Sequence, residues 1–187
     1  MTERKRLTEH GILPGDLPVD KMLERIVRVD QAGEYGAVRI YAGQLAVLGE
    51  SPAGDAIRHM AEQEREHLDT FNDIVAERRV RPTALMPVWH VAGFALGAAT
   101  AMMGERAAMA CTAAVEEVID EHYAKQAEAL GEDQAELRAT IEKFREDELA
   151  HRQVARDEGA KEAVGYPLLS SVIKAGCRLA IKVSERV

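Results

Sequence analysis

Four acidic residues stand where a helical chain ordinarily places leucine. Read at 3.6 residues per turn, Glu34 falls inside the stripe of Leu23, Val27, Val38, Tyr41, Leu45 and Leu48, and Glu116 falls between Met109 and Tyr123. Glu64 and Glu148 interrupt the stripes of Ile57, Met60, Phe71 and Ile74, and of Leu137, Ile141, Phe144 and Val154. Each of these two opens a Glu-x-x-His pair, Glu64 with His67 and Glu148 with His151. Residues three apart share a helix face. Surface pairs of this kind are commonplace, and the inward placement is what gives these weight. A lone buried carboxylate costs several kcal/mol unless it is compensated. Four on facing helices repel one another, and two divalent cations balance their charge while two neutral imidazoles complete the donor set.

The pattern is stated twice. Glu34 precedes His67 by 33 residues and Glu116 precedes His151 by 35, so each half reads Glu, a long interval, then Glu-x-x-His. One Glu from each of two helices and a Glu-x-x-His from each of the other two is the donor arrangement of ferritin-like dimetal carboxylate bundles. Oxygen-rich donors with two imidazoles suit iron or manganese better than zinc. Iron is favoured because such sites commonly work on dioxygen. The neighbouring Glu117 competes weakly with Glu116 on spacing alone. Asp147 directly precedes Glu148, so it points about 100° away around the helix, toward a neighbour, where it is expected to accept the free ring N–H of His67. Asp30 and Asp120, one turn from Glu34 and Glu116, are candidates for similar work. An exposed charge is the alternative for each.

These stripes imply an all-α chain. A leader over 1–17 ends in turn formers. A first helix runs from Val19 to about Gly49. A second starts at Ser51-Pro52, read as an N-cap with proline at the first helical position, and runs to about Arg79. A third begins within 88–95 and ends near Leu130, a fourth reaches about Gly159, and a fifth covers roughly 167–185. Residues 18–187 thus form one ferritin-like four-helix bundle with an added C-terminal amphipathic helix and an apolar interfacial segment. That segment, 82–104, carries no formal charge, and Trp89 is its candidate headgroup anchor. It is long enough to span a bilayer but only modestly apolar, and it leads straight into the helix bearing Glu116, so it is read as lying at the membrane surface.

Charge supports the same picture. The net charge of −8 excludes the dominant basic face of a nucleic-acid binder. Lys174, Arg178, Lys182 and Arg186 recur every four residues among Leu168, Leu169, Val172, Ile173, Leu179, Ala180, Ile181 and Val183. Such a basic amphipathic tail on an acidic protein points to anionic lipid. A channel is expected between this tail and 82–104, leading toward Glu116. Cys111 and Cys177 belong to no CxxC pair and read as small buried or interfacial residues. Met1–His10 lacks a signal-peptide core, so a cytoplasmic or organelle-matrix setting is expected.

Several runs are specific enough to carry a resemblance. They are Arg28-Val29-Asp30-Gln31-Ala32-Gly33-Glu34-Tyr35-Gly36-Ala37, Ile40-Tyr41-Ala42-Gly43-Gln44, Cys111-Thr112-Ala113-Ala114-Val115-Glu116-Glu117 and His122-Tyr123. Over Asp20–Val187 the chain resembles the demethoxyubiquinone hydroxylase family of ubiquinone biosynthesis, in its bacterial form. The resemblance implies the ferritin-like fold and Glu34, Glu64, His67, Glu116, Glu148 and His151 as ligands of two iron ions, with Glu116 preferred to Glu117. It further implies dioxygen as co-substrate, NADH as electron donor and a polyprenylated quinone as substrate. His122 and Tyr123 become candidates for an electron or proton relay. The expected setting is peripheral, on the cytoplasmic face of the bacterial inner membrane, with a lipid-binding accessory protein and other enzymes of the pathway as partners. The rivals are a ferritin-like diiron peroxidase or oxidase, an iron-handling protein, and a non-enzymatic lipid-binding helical scaffold.

Overall fold

A computed structural model describes residues 18–187, and the leader expected over 1–17 lies outside them. Six helices follow one another: α1 Val19–Leu48, α2 Gly54–Glu77, α3 Met86–Met102, α4 Glu105–Ala129, α5 Ala135–Asp157 and α6 Tyr166–Ser184. Among the described residues there is no strand, and the fold is an all-α, ferritin-like bundle. Hairpins α1–α2 and α4–α5 form its four long helices, while α3 lies along α1 and α6 along α4.

The inward faces advance by alternating steps of three and four, the spacing that keeps a seam against its neighbours. On α1 the seam is Val27, Asp30, Glu34, Ala37, Tyr41, Gln44 and Leu48, all buried. On α5 it is Leu137, Ile141, Phe144, Glu148, His151 and Ala155. This corrects one expected core position: Val154 is 37% exposed, and Ala155, four residues past His151, takes the inward place. Apolar clusters close the bundle on both sides of the acidic layer. One gathers Leu48, Ile57, Met60 and Met109, and the other gathers Val27, Phe71, Leu137, Ile141 and Phe144.

The start of α2 also differs from its expected place. Ser51, Pro52 and Ala53 form a turn in which the Gly54 N–H bonds to the Ser51 carbonyl at 2.9 Å, and the helix begins at Gly54. The chain doubles back so closely that a Cβ at Gly54 would stand 2.5 Å from the Gly49 carbonyl oxygen. Likewise, the single helix expected from within 88–95 to Leu130 is two. Gly104, at φ +108°, breaks it in a conformation that L side chains rarely adopt, and its carbonyl accepts from the N–H groups of Ala107 and Ala108 to open α4.

The break frees α3 to lie on α1 at backbone contact. A Cβ at Gly97 would stand 1.9 Å from the Ile40 carbonyl oxygen, and one at Gly43 would stand 2.2 Å from that of Phe94. Trp89, expected at a lipid headgroup, is half-buried and donates its ring N–H to Ser184 Oγ at 3.0 Å, joining α3 to α6. The basic tail is partly neutralised as well. Lys174 bonds Glu117 at 2.5 Å and Arg178 bonds Glu121 at 3.0 Å, because α6 packs its Ile173 side on α4 and these cations flank that contact. Lys182 and Arg186 are exposed, as are Leu168, Val172 and Leu179.

If glycine is what permits the α1–α3 approach, Gly97→Ala should lower the urea midpoint, by roughly 1–3 kcal/mol of stability. Gly176→Ala on α6, where a Cβ meets nothing within 4 Å, should instead raise it by roughly 0.5–1 kcal/mol through helix propensity.

Candidate metal centre

The seams bring six donors into one layer, with Glu34 from α1, Glu64 and His67 from α2, Glu116 from α4, and Glu148 and His151 from α5. All are at most 2% exposed. They divide into two groups, Glu34, Glu64, His67 and Glu148, and then Glu64, Glu116, Glu148 and His151, each with one ligand atom per residue within 4.8 Å of the rest. Glu64 and Glu148 belong to both groups. Both histidines turn Nδ1 inward: that of His67 lies 3.4 Å from Glu148 Oε1 and 3.6 Å from Glu34 Oε2, and that of His151 lies 3.0 Å from Glu64 Oε1 and 3.4 Å from Glu148 Oε2.

The donor atoms themselves test whether metals fit here. Both oxygens of Glu64 and of Glu148, Oε2 of Glu34 and of Glu116, and Nδ1 of both histidines are buried without a hydrogen-bond partner. Stranded acceptors are costly in a dry interior, and these converge on shared space. An oxygen-rich set with two imidazoles and two shared carboxylates fits a pair of divalent ions of the iron or manganese type.

Groups around this layer hold the donors in place. The outward Nε2 of His67 meets Asp147 Oδ2 at 3.2 Å, and that of His151 meets Gln63 Oε1 at 3.1 Å. Tyr41 donates to Glu116 Oε1 at 2.8 Å, and Tyr123 donates to Glu34 Oε1. Gln126 donates to Asp30 Oδ1 at 2.7 Å and meets His122 Nε2 at 2.9 Å, so Asp30 and His122 belong to one network beside Glu34. Asp120 does not join them. It turns to Arg145 at 2.7 Å and Arg152 at 3.3 Å, the cations that α5 presents to that face. Glu117 likewise faces Lys174 and Arg156, outside the layer. Sequence reasoning missed Tyr41, Gln63 and Gln126 here, and two of them answer residues it did name. Tyr41 stands seven residues after Glu34 as Tyr123 does after Glu116, and Gln63 precedes Glu64 as Asp147 precedes Glu148. The internal echo, followed outward, would have found both.

Burial, and then repulsion from neighbouring carboxylates, push the carboxyls of Glu64 and Glu116 well above their ordinary range. Burial raises Glu148 too, against the opposing pull of the nearby His67 ring. Burial pulls His67 down, but the nearby carboxylates of Glu148 and Glu34 prevail and lift it to about 10. His151 is lowered, chiefly by burial, and burial takes His122 down to about 4, leaving its ring neutral. Without metal, the layer holds protons that an unfolded chain releases.

Between α1, α3, α4 and α6 runs an apolar groove of about 420 Å³. Its wall includes Gly33 and Val115, the neighbours of Glu34 and Glu116, with Ile119, Ile173 and Gly176.

Proton binding fixes the sign of a pH effect. The metal-free chain keeps carboxyl protons that an unfolded chain loses near pH 4.5, so its stability should fall as pH rises from there through neutrality. His67 acts in the same direction up to about pH 10, while His151 and His122, both lowered by burial, oppose. Melts of chelator-stripped protein at about pH 5 and 8 check this. With metal restored, the higher pH should become the more stable, because metal displaces those protons.

The chain can now be set beside known proteins. The family model described as Ubiquinone biosynthesis protein COQ7 matches residues 21–184. A Rhodospirillum rubrum protein named 3-demethoxyubiquinol 3-hydroxylase is 57% identical over 183 residues, covering 97% of this chain and 86% of the relative. A Homo sapiens protein named NADPH-dependent 3-demethoxyubiquinone 3-hydroxylase, mitochondrial, is 53% identical over 169 residues, covering 88% and 78%. A Saccharomyces cerevisiae protein named 5-demethoxyubiquinone hydroxylase, mitochondrial, is 42% identical over 182 residues, with the same coverage. With the match spanning nearly every helix of the bundle, the chain belongs to the COQ7 family of ubiquinone biosynthesis proteins.

Proposed function

We propose that this chain is a 3-demethoxyubiquinol 3-hydroxylase whose six buried donors hold two iron ions. The observation that carries the reading is the placement of that donor layer directly behind an apolar groove: Gly33 and Val115 line the groove, while Glu34 and Glu116 beside them face the layer. In the reaction, a ring C–H becomes C–OH with one atom of dioxygen, and the other leaves as water after two electrons and two protons are supplied. Bound iron supplies the redox chemistry that reduces dioxygen. A reduced nicotinamide nucleotide is the ultimate donor. The sequence suggested NADH, whereas the human relative's name specifies NADPH.

The protein's own share is positioning and exclusion of water. Small groove residues, Gly33, Gly36, Ala37 and Gly176, leave room for a planar head group, and branched Val115, Ile119 and Ile173 keep it dry. Tyr41 and Tyr123, whose acidities burial strongly suppresses, stay protonated and donate to Glu116 and Glu34. His122, Gln126 and Asp30 form a hydrogen-bonded set suited to bring a proton toward Glu34. Asp147 and Gln63 fix the ring orientation of the two histidines.

The membrane is the source of the substrate in this reading. No helix among the described residues is long and apolar enough to cross a bilayer. Val88 and Val91 on α3, with Leu168, Val172 and Leu179 on α6, are exposed beside the groove. We place them against the cytoplasmic face of the bacterial inner membrane, with the isoprenoid tail left in lipid. A lipid-binding accessory protein and other enzymes of the pathway are the expected partners.

The direct test measures iron and product together. Wild type should bind two irons per chain and, with reductant and dioxygen, convert a demethoxyubiquinol to its hydroxylated product with oxygen from dioxygen. Glu148→Ala should stay helical, hold far less iron and make no product. A variant with two irons and wild-type turnover would refute the ligand set.

Membrane capture is tested separately. Changing Leu168, Val172 and Leu179 to serine removes exposed apolar area worth several kcal/mol at ~25 cal/mol per Å². Vesicle binding and turnover of a long-tailed quinol should drop at least tenfold, while iron and turnover of a short-tailed analogue persist.

A further inference from the structure

The two halves of the bundle repeat one another at the positions that brace the donors, and the exceptions fall on one side. Counting from Glu34 on α1 and Glu116 on α4, position +7 is tyrosine in both, and each tyrosine crosses to the glutamate of the other helix. Position +10 is glutamine in both, and each glutamine crosses to position −4 of the other helix. Gln126 thus meets Asp30 at 2.7 Å, and Gln44 meets Thr112 Oγ1 at 3.2 Å. On α2 and α5, the residue before each glutamate braces the histidine of the other helix, Asp147 on His67 at 3.2 Å and Gln63 on His151 at 3.1 Å.

Among these bracing positions the chemistry breaks twice. Asp30 answers Thr112, and Asp147 answers Gln63. Both acidic members attend the same pair of donors, since Asp30 is one turn from Glu34, and Glu34 Oε2 lies 3.6 Å from the ring of His67 that Asp147 holds. Glu116 and His151 are attended by a hydroxyl and an amide.

Building on the metal-centre reading above, we propose that the two metal positions are unequal: the one formed with Glu34 and His67 is the tighter, filled first and emptied last. A carboxylate that accepts the ring N–H draws the proton away from the imidazole and makes Nδ1 a stronger donor, whereas a neutral amide does this weakly. Nothing in the other half offsets this difference, because Glu64 and Glu148 serve both positions. Gln63 and Asp147 are positioning residues in this scheme, acting through the histidines.

The test is metal binding, independent of turnover. Co(II) added to metal-free protein and followed by its visible absorption reports each equivalent. Wild type should take two. Glu116→Ala should keep the first equivalent near wild-type affinity, and Glu34→Ala should weaken it by roughly tenfold or more, the scale of an outer-shell effect. Exchanging the braces by Gln63→Glu with Asp147→Asn should close that gap while both equivalents still bind. Mere repulsion between two bound ions predicts no difference between Glu34→Ala and Glu116→Ala. Equal loss in those two variants would overturn the inference and leave the metal centre standing. So would a gap unmoved by the exchange. Failure of wild type to bind Co(II) at all would overturn both.

Discussion

Four carboxylates facing one another in a dry layer cannot all keep their charge unaided. Glu34, Glu64, Glu116 and Glu148 are each 1% exposed or less, and the low dielectric that makes such a cluster costly also makes it a strong cation trap once metal is present. The apolar clusters on both sides supply the stability that lets the helices hold this layer closed. The seam spacing delivers the donors, and Tyr41, Tyr123, Asp147 and Gln63 orient four of them.

The layer was legible in the sequence because its rule is local. A residue three or four positions along a helix shares its face whatever the rest of the chain does, so Glu64 with His67 and Glu148 with His151 could be read from spacing. The fold class followed from the same periodicity. What escaped depends on partners distant in sequence. Asp120 lies in register with Glu116, yet its direction is decided by Arg145 and Arg152, one helix away. Lys174 and Arg178 read as lipid-facing until α4 places Glu117 and Glu121 opposite them. The break at Gly104 was hidden because a single glycine where an apolar run meets charged residues reads the same whether the helix continues or turns. Val154 and Ala155 show the limit at finest scale: both fit a helical stripe, and only the seam against the neighbouring helices chooses the smaller.

Metal layer and groove share walls but are built by different means. Four of the six donors are held by directional polar contacts, Glu34 by Tyr123, Glu116 by Tyr41, His67 by Asp147 and His151 by Gln63. The groove owes its width to residues that lack side chains, and α3 reaches its place because Gly43 and Gly97 allow backbone to meet backbone. A change in groove shape through α3 or α6 therefore need not disturb the donors, since neither helix contributes one.

The crossing of each brace to the opposite hairpin has a temporal consequence. During synthesis from the N-terminus, α1 and α2 emerge first with Glu34, Glu64 and His67, but Tyr123, Asp147, Glu148 and His151 are still to come. Half a layer offers a metal three donors, with neither the tyrosine that steadies Glu34 nor the aspartate that steadies His67. If the layer holds metal as proposed, the nascent chain is thus poorly equipped to capture it, and tight capture waits until α5 has been made and docked. On that reading, loading marks completion of a chain whose two hairpins have found each other.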